Sequence, residues 1–208
     1  MRQPIITLLA IAVAVHSAFA QESAPNPLSG QAQPLTVAIV RQTVPGFEPI
    51  QYVFISCGTN EFFATVPAGY RIQNEPAQGR ILFLKADNSC WLTARIIKPA
   101  YGSSKLTSGN CRDSLLSLHP GAAIAGESGA SAGGQSGTAY DLQWISAGGL
   151  PERSRVVFIS SAVGILEFTL TSSASQFPDA QNDFAHFLAG FCPNPKGSRK
   201  LPPAPSNS

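Results

Sequence analysis

Charged residues are scarce in this chain. Asp, Glu, Lys and Arg make up 12% of its 208 residues, whereas soluble domains carry about 25%. The formal net charge is +2 at pH 7, which provides no strong field to attract nucleic acid or an anionic lipid surface. A hydrophobic fraction of 44% excludes a chain that is disordered throughout. The composition is that of a folded domain with an uncharged polar surface.

A hydrophobic run long enough to span a bilayer is also missing. A spanning helix needs about 20 apolar residues, but the run Ile5–Val15 has 11. It follows Arg2 and precedes the small-residue site Ala18–Ala20, which is the pattern of a secretory signal peptide. We predict a signal peptide over residues 1–20, cleaved after Ala20, and a periplasmic or secreted mature chain without a membrane span. A buried core helix is the alternative for this run.

Cysteine is limited to four residues, none of them in a C-x-x-C pair: Cys57, Cys90, Cys111 and Cys192. Zinc sites bring their ligands in close pairs, so these spacings do not indicate a metal, and no cofactor is predicted. An even number of cysteines in an oxidising compartment favours two disulfides, for which three pairings exist. We favour Cys90 with Cys111 and Cys57 with Cys192, which leaves no free thiol.

The two ends of the chain lack residues that a core could bury. After the signal peptide, Ala, Pro, Asn, Ser, Gly and Gln dominate as far as Pro34, and the last residues are again rich in Pro and Ser. Such composition is typical of flexible segments. We therefore predict a flexible leader over residues 21–50, one domain over 51–192 and a disordered Pro-rich tail over 193–208. Two interpretations of the tail stay open: a terminus without a binding role, or a segment that docks to a partner.

Between these ends, short runs rich in β-branched and aromatic residues alternate with turn residues, a pattern that predicts antiparallel strands. The runs are Tyr52–Ser56, Phe62–Val66, Tyr70–Ile72, Arg80–Lys85, Trp91–Ile97, Thr138–Trp144, Arg155–Ser161 and Ile165–Thr171. The Gly-rich segment Gly121–Gly137 is predicted to form a further strand and a loose turn. In the last run, Glu167 and Thr169 alternate with apolar residues, which suits a sheet with one face only partly covered.

Two helices are predicted. The first begins with Asn110 as its cap and Asp113 as the capping partner, and it ends at Pro120. Its apolar side is made of Leu115, Leu116 and Leu118. The second starts at Pro178 and carries one apolar stripe, made of Phe184, Phe187, Leu188 and Phe191, with Asp183 and His186 on the other side. The expected class is α+β, an antiparallel sheet packed against helices in an α/β/α sandwich.

The order of these elements resembles the PsbP-like superfamily. The resemblance rests on the turn Val66-Pro67-Ala68-Gly69-Tyr70 and on the closing strand Leu166–Ser173 followed by an aromatic-rich helix over Phe177–Phe191. It covers roughly residues 62 to 191 and implies a non-enzymatic module that binds partners or small ligands in an exported compartment. No functional residue of that family carries over, because no site motif matches.

One catalytic pattern is present, G-x-S-x-G at Gly129-Ala130-Ser131-Ala132-Gly133, with Asp141 or Asp183 and then His186 following in the α/β-hydrolase order. A nucleophile elbow needs a helix directly after the serine, but a Gly-rich turn and a strand follow here. We therefore predict no catalytic residue. The predicted function is an exported non-catalytic binding or interaction module whose protein or small-molecule partner is unspecified. A serine hydrolase using Ser131 is the alternative, and an envelope or secretion component that uses the tail is a third.

Five arginines lie in or beside the predicted strands: Arg71, Arg80, Arg95, Arg153 and Arg155. Two explanations stay open for them. They form a basic patch for an anionic ligand, or they are strand-edge charges that block unwanted pairing.

Overall fold

The computed structural model describes residues 30–43, 49–98 and 106–194. The predicted signal peptide lies outside these residues, and so does the predicted tail from residue 195 onward. Everything stated below about structure refers to the described residues.

The described chain forms eleven strands and two α-helices. The strands are β1 Thr36–Gln42, β2 Ile50–Cys57, β3 Asn60–Val66, β4 Tyr70–Glu75, β5 Arg80–Lys85, β6 Cys90–Ile97, β7 Ala123–Ala132, β8 Gln135–Ile145, β9 Pro151–Ser161, β10 Gly164–Ser173 and β11 Cys192–Asn194. The helices are α1 Ser108–Leu118 and α2 Phe177–Gly190. A four-stranded sheet has the order β1-β2-β3-β11, and a seven-stranded sheet has the order β4-β5-β6-β10-β9-β8-β7. All of these pairings are antiparallel.

The seven-stranded sheet is covered on both faces, because alternate residues of its strands enter two separate cores. Along β9, Val157 and Ile159 join the larger core, which also contains residues of α2 and of the four-stranded sheet. Val156 and Phe158 join the smaller core under α1. The predicted α+β class is confirmed, and the structure adds a second sheet beside α2 that the sequence analysis did not separate from the first.

Helix α2 is anchored by its aromatic stripe, as predicted from the helical spacing. Phe184, Phe187 and Leu188 are buried. The Phe187 ring lies 4.9 Å from the Phe83 ring and 6.0 Å from the Phe168 ring, measured between centroids. The helix therefore sits across β5, β6 and β10 of the larger sheet by apolar contact.

Helix α1 exists as predicted, but its cap is Thr107. The Thr107 hydroxyl accepts a hydrogen bond from the Asn110 backbone N–H at 3.3 Å, so Asn110 lies inside the first turn. Of the three predicted apolar leucines, Leu115 alone is buried, whereas Leu116 and Leu118 are 41% and 55% exposed. The helix touches the sheet near its edge strand β7, so little apolar surface is available to cover a broader stripe.

The predicted flexible leader is wrong for residues 36–42. These residues form β1, which pairs with β2 along its whole length, and the preceding Leu35 is buried. The run Thr36–Val40 contains four β-branched residues, which favour strands, and β2 supplies the strand with which it pairs. Similarly, Pro193 and Asn194 of the predicted tail belong to β11, which pairs with β3.

The structure contains no disulfide, and the fold does not place either favoured pair of cysteines side by side. Cys57 lies on β2 and Cys192 on β11, the two strands that flank β3. Strands separated by a third are about 10 Å apart, which exceeds the Cα separation of about 7 Å that a disulfide can bridge. Cys90 belongs to the larger core and Cys111 to the smaller one, so the seven-stranded sheet separates them.

Candidate functional site

A polar network connects α2 to the β4–β5 hairpin. The turn between β3 and β4 ends at Gly69, whose φ of 78° suits glycine, and it presents Tyr70 to the helix. The Tyr70 hydroxyl donates a hydrogen bond to Asp183 Oδ2 at 3.0 Å and lies 2.8 Å from Cys90 Sγ. The Lys85 ammonium donates to the same carboxylate oxygen at 3.2 Å. Three strands and one helix thus converge on Asp183.

Three side chains of this network are protonated at neutral pH. Burial, followed by the hydrogen bond to Cys90, raises the pKa of the Tyr70 hydroxyl, and burial raises the pKa of the Cys90 thiol. The hydrogen bond to Asp183 raises the pKa of Lys85. A general base or nucleophile at neutral pH needs a readily lost proton. These three side chains instead remain a hydroxyl, a thiol and an ammonium, which serve as hydrogen-bond donors.

A cleft of about 690 Å³ opens beside this network, and we call it the Tyr70 cleft. Its walls are residues 49–51 at the start of β2, residues 65–70 at the end of β3 and in the following turn, and Asp183 with His186 on α2. The Val66-Pro67-Ala68-Gly69-Tyr70 pattern noted in the sequence therefore forms one wall. A cleft of this volume with a few convergent polar groups is the usual form of a small-ligand site.

The structure does not bring the hydrolase residues together. Ser131 lies within β7, paired with Ser136, so it is on a strand and not at a strand-to-helix turn. It faces a groove of about 280 Å³ that α2 lines with Gln181, Ala185, Leu188 and neighbours. Asp183 and His186 line the Tyr70 cleft on the other side of the same helix, and the Asp141 carboxylate lies 3.8 Å from Arg155.

Cross-strand contacts supply polar partners to charged residues for which local sequence spacing indicated none. The Arg95 guanidinium binds both carboxylate oxygens of Glu167 at 2.6 Å, and Glu167 is 7% exposed. Among the other strand arginines, Arg71 binds Asn88, Arg80 binds Glu75 and Arg155 binds Ser128. Four of the five arginines are thus engaged, so they do not form the free basic patch considered above. These pairs join residues up to 72 positions apart, and local spacing carries no signal for such pairs.

No group of three or more His, Cys, Asp or Glu side chains is placed to hold a metal ion in the described ranges. Neither helix there is both long enough and apolar enough to cross a membrane.

Comparison with known proteins finds no family model and no curated protein that matches this chain. Among solved structures, the chain is similar to PsbP from the cyanobacterium Synechocystis, with 12% identity over 75% of this chain and 91% of that one and a TM-score of 0.46. It is also similar to PA94 of unknown function from Pseudomonas aeruginosa, with 16% identity over 81% of this chain and 99% of that one and a TM-score of 0.41.

A third similar structure is LpqN from Mycobacterium tuberculosis, which is involved in cell envelope biogenesis. It has 13% identity over 77% of this chain and 92% of that one, and a TM-score of 0.40. PsbP, whose superfamily the sequence resembles, is thus among the structures to which this chain is similar. At these identities and TM-scores, the likeness carries no conclusion about function.

Proposed function

We propose that the protein is an exported, non-catalytic binding module that holds its ligand in the Tyr70 cleft. The observation that carries this proposal is the geometry of the cleft, in which Tyr70 and Asp183 both lie on the wall and Asp183 is bound to Tyr70 and to Lys85. A hydroxyl and a carboxylate placed in this way recognise a ligand by hydrogen bonding and charge.

The geometry also supports binding because the cleft is held in shape before a ligand arrives. Asp183 is tied to both Tyr70 and Lys85 through Oδ2, which fixes α2 against the β4–β5 hairpin. A site whose side chains are already ordered loses less conformational freedom on binding. The signal-peptide pattern of residues 1–20 supports export, with the mature chain in the periplasm or the medium.

The test places a photo-crosslinking residue, p-benzoylphenylalanine, at His186, which is exposed on the cleft wall. The matched control carries the same residue at Ser117, which is exposed on α1 across the seven-stranded sheet. Each protein is produced with its export signal in its own host and irradiated in the envelope and medium fractions. We expect a defined adduct by intact-mass and gel analysis from position 186 and none from position 117.

A second variant checks that the adduct reports the cleft itself. Asp183→Asn removes the charge that binds Tyr70 and Lys85 and should weaken the adduct at position 186, while circular dichroism confirms that the protein is folded. Identical adducts from both positions, or no adduct from position 186, would overturn the proposed function.

A further inference from the structure

Of the five strand arginines considered above, Arg153 is the one for which the described residues provide no polar partner. It lies on β9 opposite Gln143 of β8 and Ser172 of β10. Its guanidinium carbon lies 4.7 Å from the centroid of the Phe177 ring, at the start of α2. The ring covers one face of the guanidinium by a cation–π contact, and the N–H donors lie along the edge of the guanidinium plane, where the ring offers them no acceptor.

The donors of Arg153 lack acceptors in the described part of the chain. Its Nε atom is shielded from solvent and has no hydrogen-bond partner there, and none of the ion pairs among the described residues includes it. An unsatisfied charged donor costs more than a neutral one. By contrast, Arg155, two residues along the same strand, donates to Ser128 and lies near Asp141.

Arg153 lines a cavity of about 550 Å³ near the ends of β8 and β9, which shares no lining residue with the groove beside Ser131. We call it the Arg153 cavity. Ile145 and Pro151 supply apolar wall, while Gln143 and Glu152 are its other polar residues. Trp144 also borders the cavity, but its ring stacks with His119 and packs against the smaller core. Ile145 is 66% exposed, so its side chain is accessible to a ligand. The volume suits a small molecule.

The charges in this cavity select the class of ligand. A guanidinium presents its donors in a planar fork that matches a carboxylate, and an ionic hydrogen bond of this kind is stronger than a neutral one. Glu152 adds one negative charge to the wall, which disfavours a ligand with a second carboxylate. The apolar residues favour a ligand whose remaining surface is apolar.

We propose that the Arg153 cavity binds a small monocarboxylate with an apolar body, whose carboxylate accepts hydrogen bonds from Arg153. This site is separate from the Tyr70 cleft, which has no lining residue in common with it. The proposal therefore stands or fails independently of the proposed function.

The test uses phenylacetate and its neutral counterpart phenylacetamide as probes, titrated into the purified full chain by isothermal calorimetry and by ¹⁵N NMR. We expect phenylacetate to bind about tenfold tighter than phenylacetamide or more, because the charged hydrogen bonds exist with the acid alone. It should shift the Nε–H signal of Arg153. The indole N–H signals of Trp91 and Trp144, the two tryptophans of the chain, should stay in place, since Trp91 alternates with residues of the larger core and Trp144 packs against the smaller core, on the face of the sheet opposite to Arg153.

Two variants assign the preference to one side chain. In Arg153→Gln the two probes should bind alike, and Arg153→Lys should keep only part of the preference because it loses the fork. Arg155→Gln, on the same strand with its guanidinium already engaged, should retain the full preference. The proposal is overturned if phenylacetate binds no tighter than phenylacetamide, or if folded Arg153→Gln or Arg153→Lys protein discriminates as well as the unmodified chain does.

Discussion

The Tyr70 hydroxyl contacts the Asp183 carboxylate of α2, which is 113 residues away in the chain, and the Cys90 thiol of β6, which is 20 residues away. What each side chain does in this molecule depends on such distant partners. Lys85 is held as an ammonium by Asp183, and Arg95 and Glu167 satisfy each other across two strands. The residue types were evident in the sequence, but their protonation and availability are set by contacts made in the fold.

The cysteines provide a test at the scale of the residue. Cys57, Cys90 and Cys111 are buried, whereas Cys192 is partly accessible. Burial raises the pKa of all three buried thiols, that of Cys111 to about 11, and the reactive form of cysteine is the thiolate. We expect the native protein at pH 8 to react with a maleimide at Cys192 first and at the buried thiols far more slowly.

Two controls complete this measurement. Cys192→Ser should abolish the fast reaction, and unfolding in urea without reductant should expose four thiols per chain. A titration that finds no thiol in the unfolded protein would show that the chain forms disulfides in a fold other than the one described.

At the scale of elements, hydrophobic periodicity located both helices, while their ends depended on capping contacts. In α2 the stripe of Phe184, Phe187 and Leu188 is buried as its spacing indicated. In α1 the sequence analysis predicted Asn110 as the cap, but the Asn110 backbone N–H donates to the Thr107 hydroxyl, so Thr107 is the cap. A capping residue has a non-helical backbone conformation of its own, and the backbone of Thr107 is extended.

This difference predicts unequal effects of two otherwise similar substitutions. Thr107→Ala should lower the free energy of unfolding by about 1 kcal/mol, because it leaves an N–H of the first turn without its acceptor. Asn110→Ala should change it by less than about 0.5 kcal/mol, since Asn110 is only partly buried and lies inside the first turn, where its side chain does not cap the helix. Urea unfolding followed by circular dichroism measures both. A larger loss for Asn110→Ala would contradict the assignment of the cap.

At the scale of the whole molecule, α2 divides one face of the seven-stranded sheet into separate compartments. Ser131 faces the groove on one side of the helix, and Asp183 and His186 face the Tyr70 cleft on the other. A catalytic serine must lie within hydrogen-bond reach of its base. The chain order of serine, acid and histidine is therefore not reproduced in space.

The separation predicts the result of active-site labelling. A fluorophosphonate probe should not label the folded protein at Ser131, and Ser131→Ala should give the same background as the unmodified chain. A serine hydrolase of known activity, treated in parallel, verifies the reagent. Stoichiometric labelling that disappears in Ser131→Ala would contradict the arrangement described here and revive the hydrolase hypothesis.

Local sequence patterns were sufficient to predict the α+β class, the two helices and most strands of the larger sheet. These features depend on local periodicity, because the alternating and helical spacings of apolar residues are visible within a short stretch of sequence. The sequence also indicated the turn at Val66–Tyr70, which became one wall of the Tyr70 cleft.

Which side chains meet became evident in the fold alone. β1 pairs with β2 along its whole length, and the cysteines of each favoured pair are separated by the strands and cores to which they belong. Five strand arginines looked equivalent in the sequence, yet the fold engages four of them and leaves Arg153 facing a cavity. Such outcomes depend on strand order and register, which bring together residues that are remote in the chain and carry no local signal.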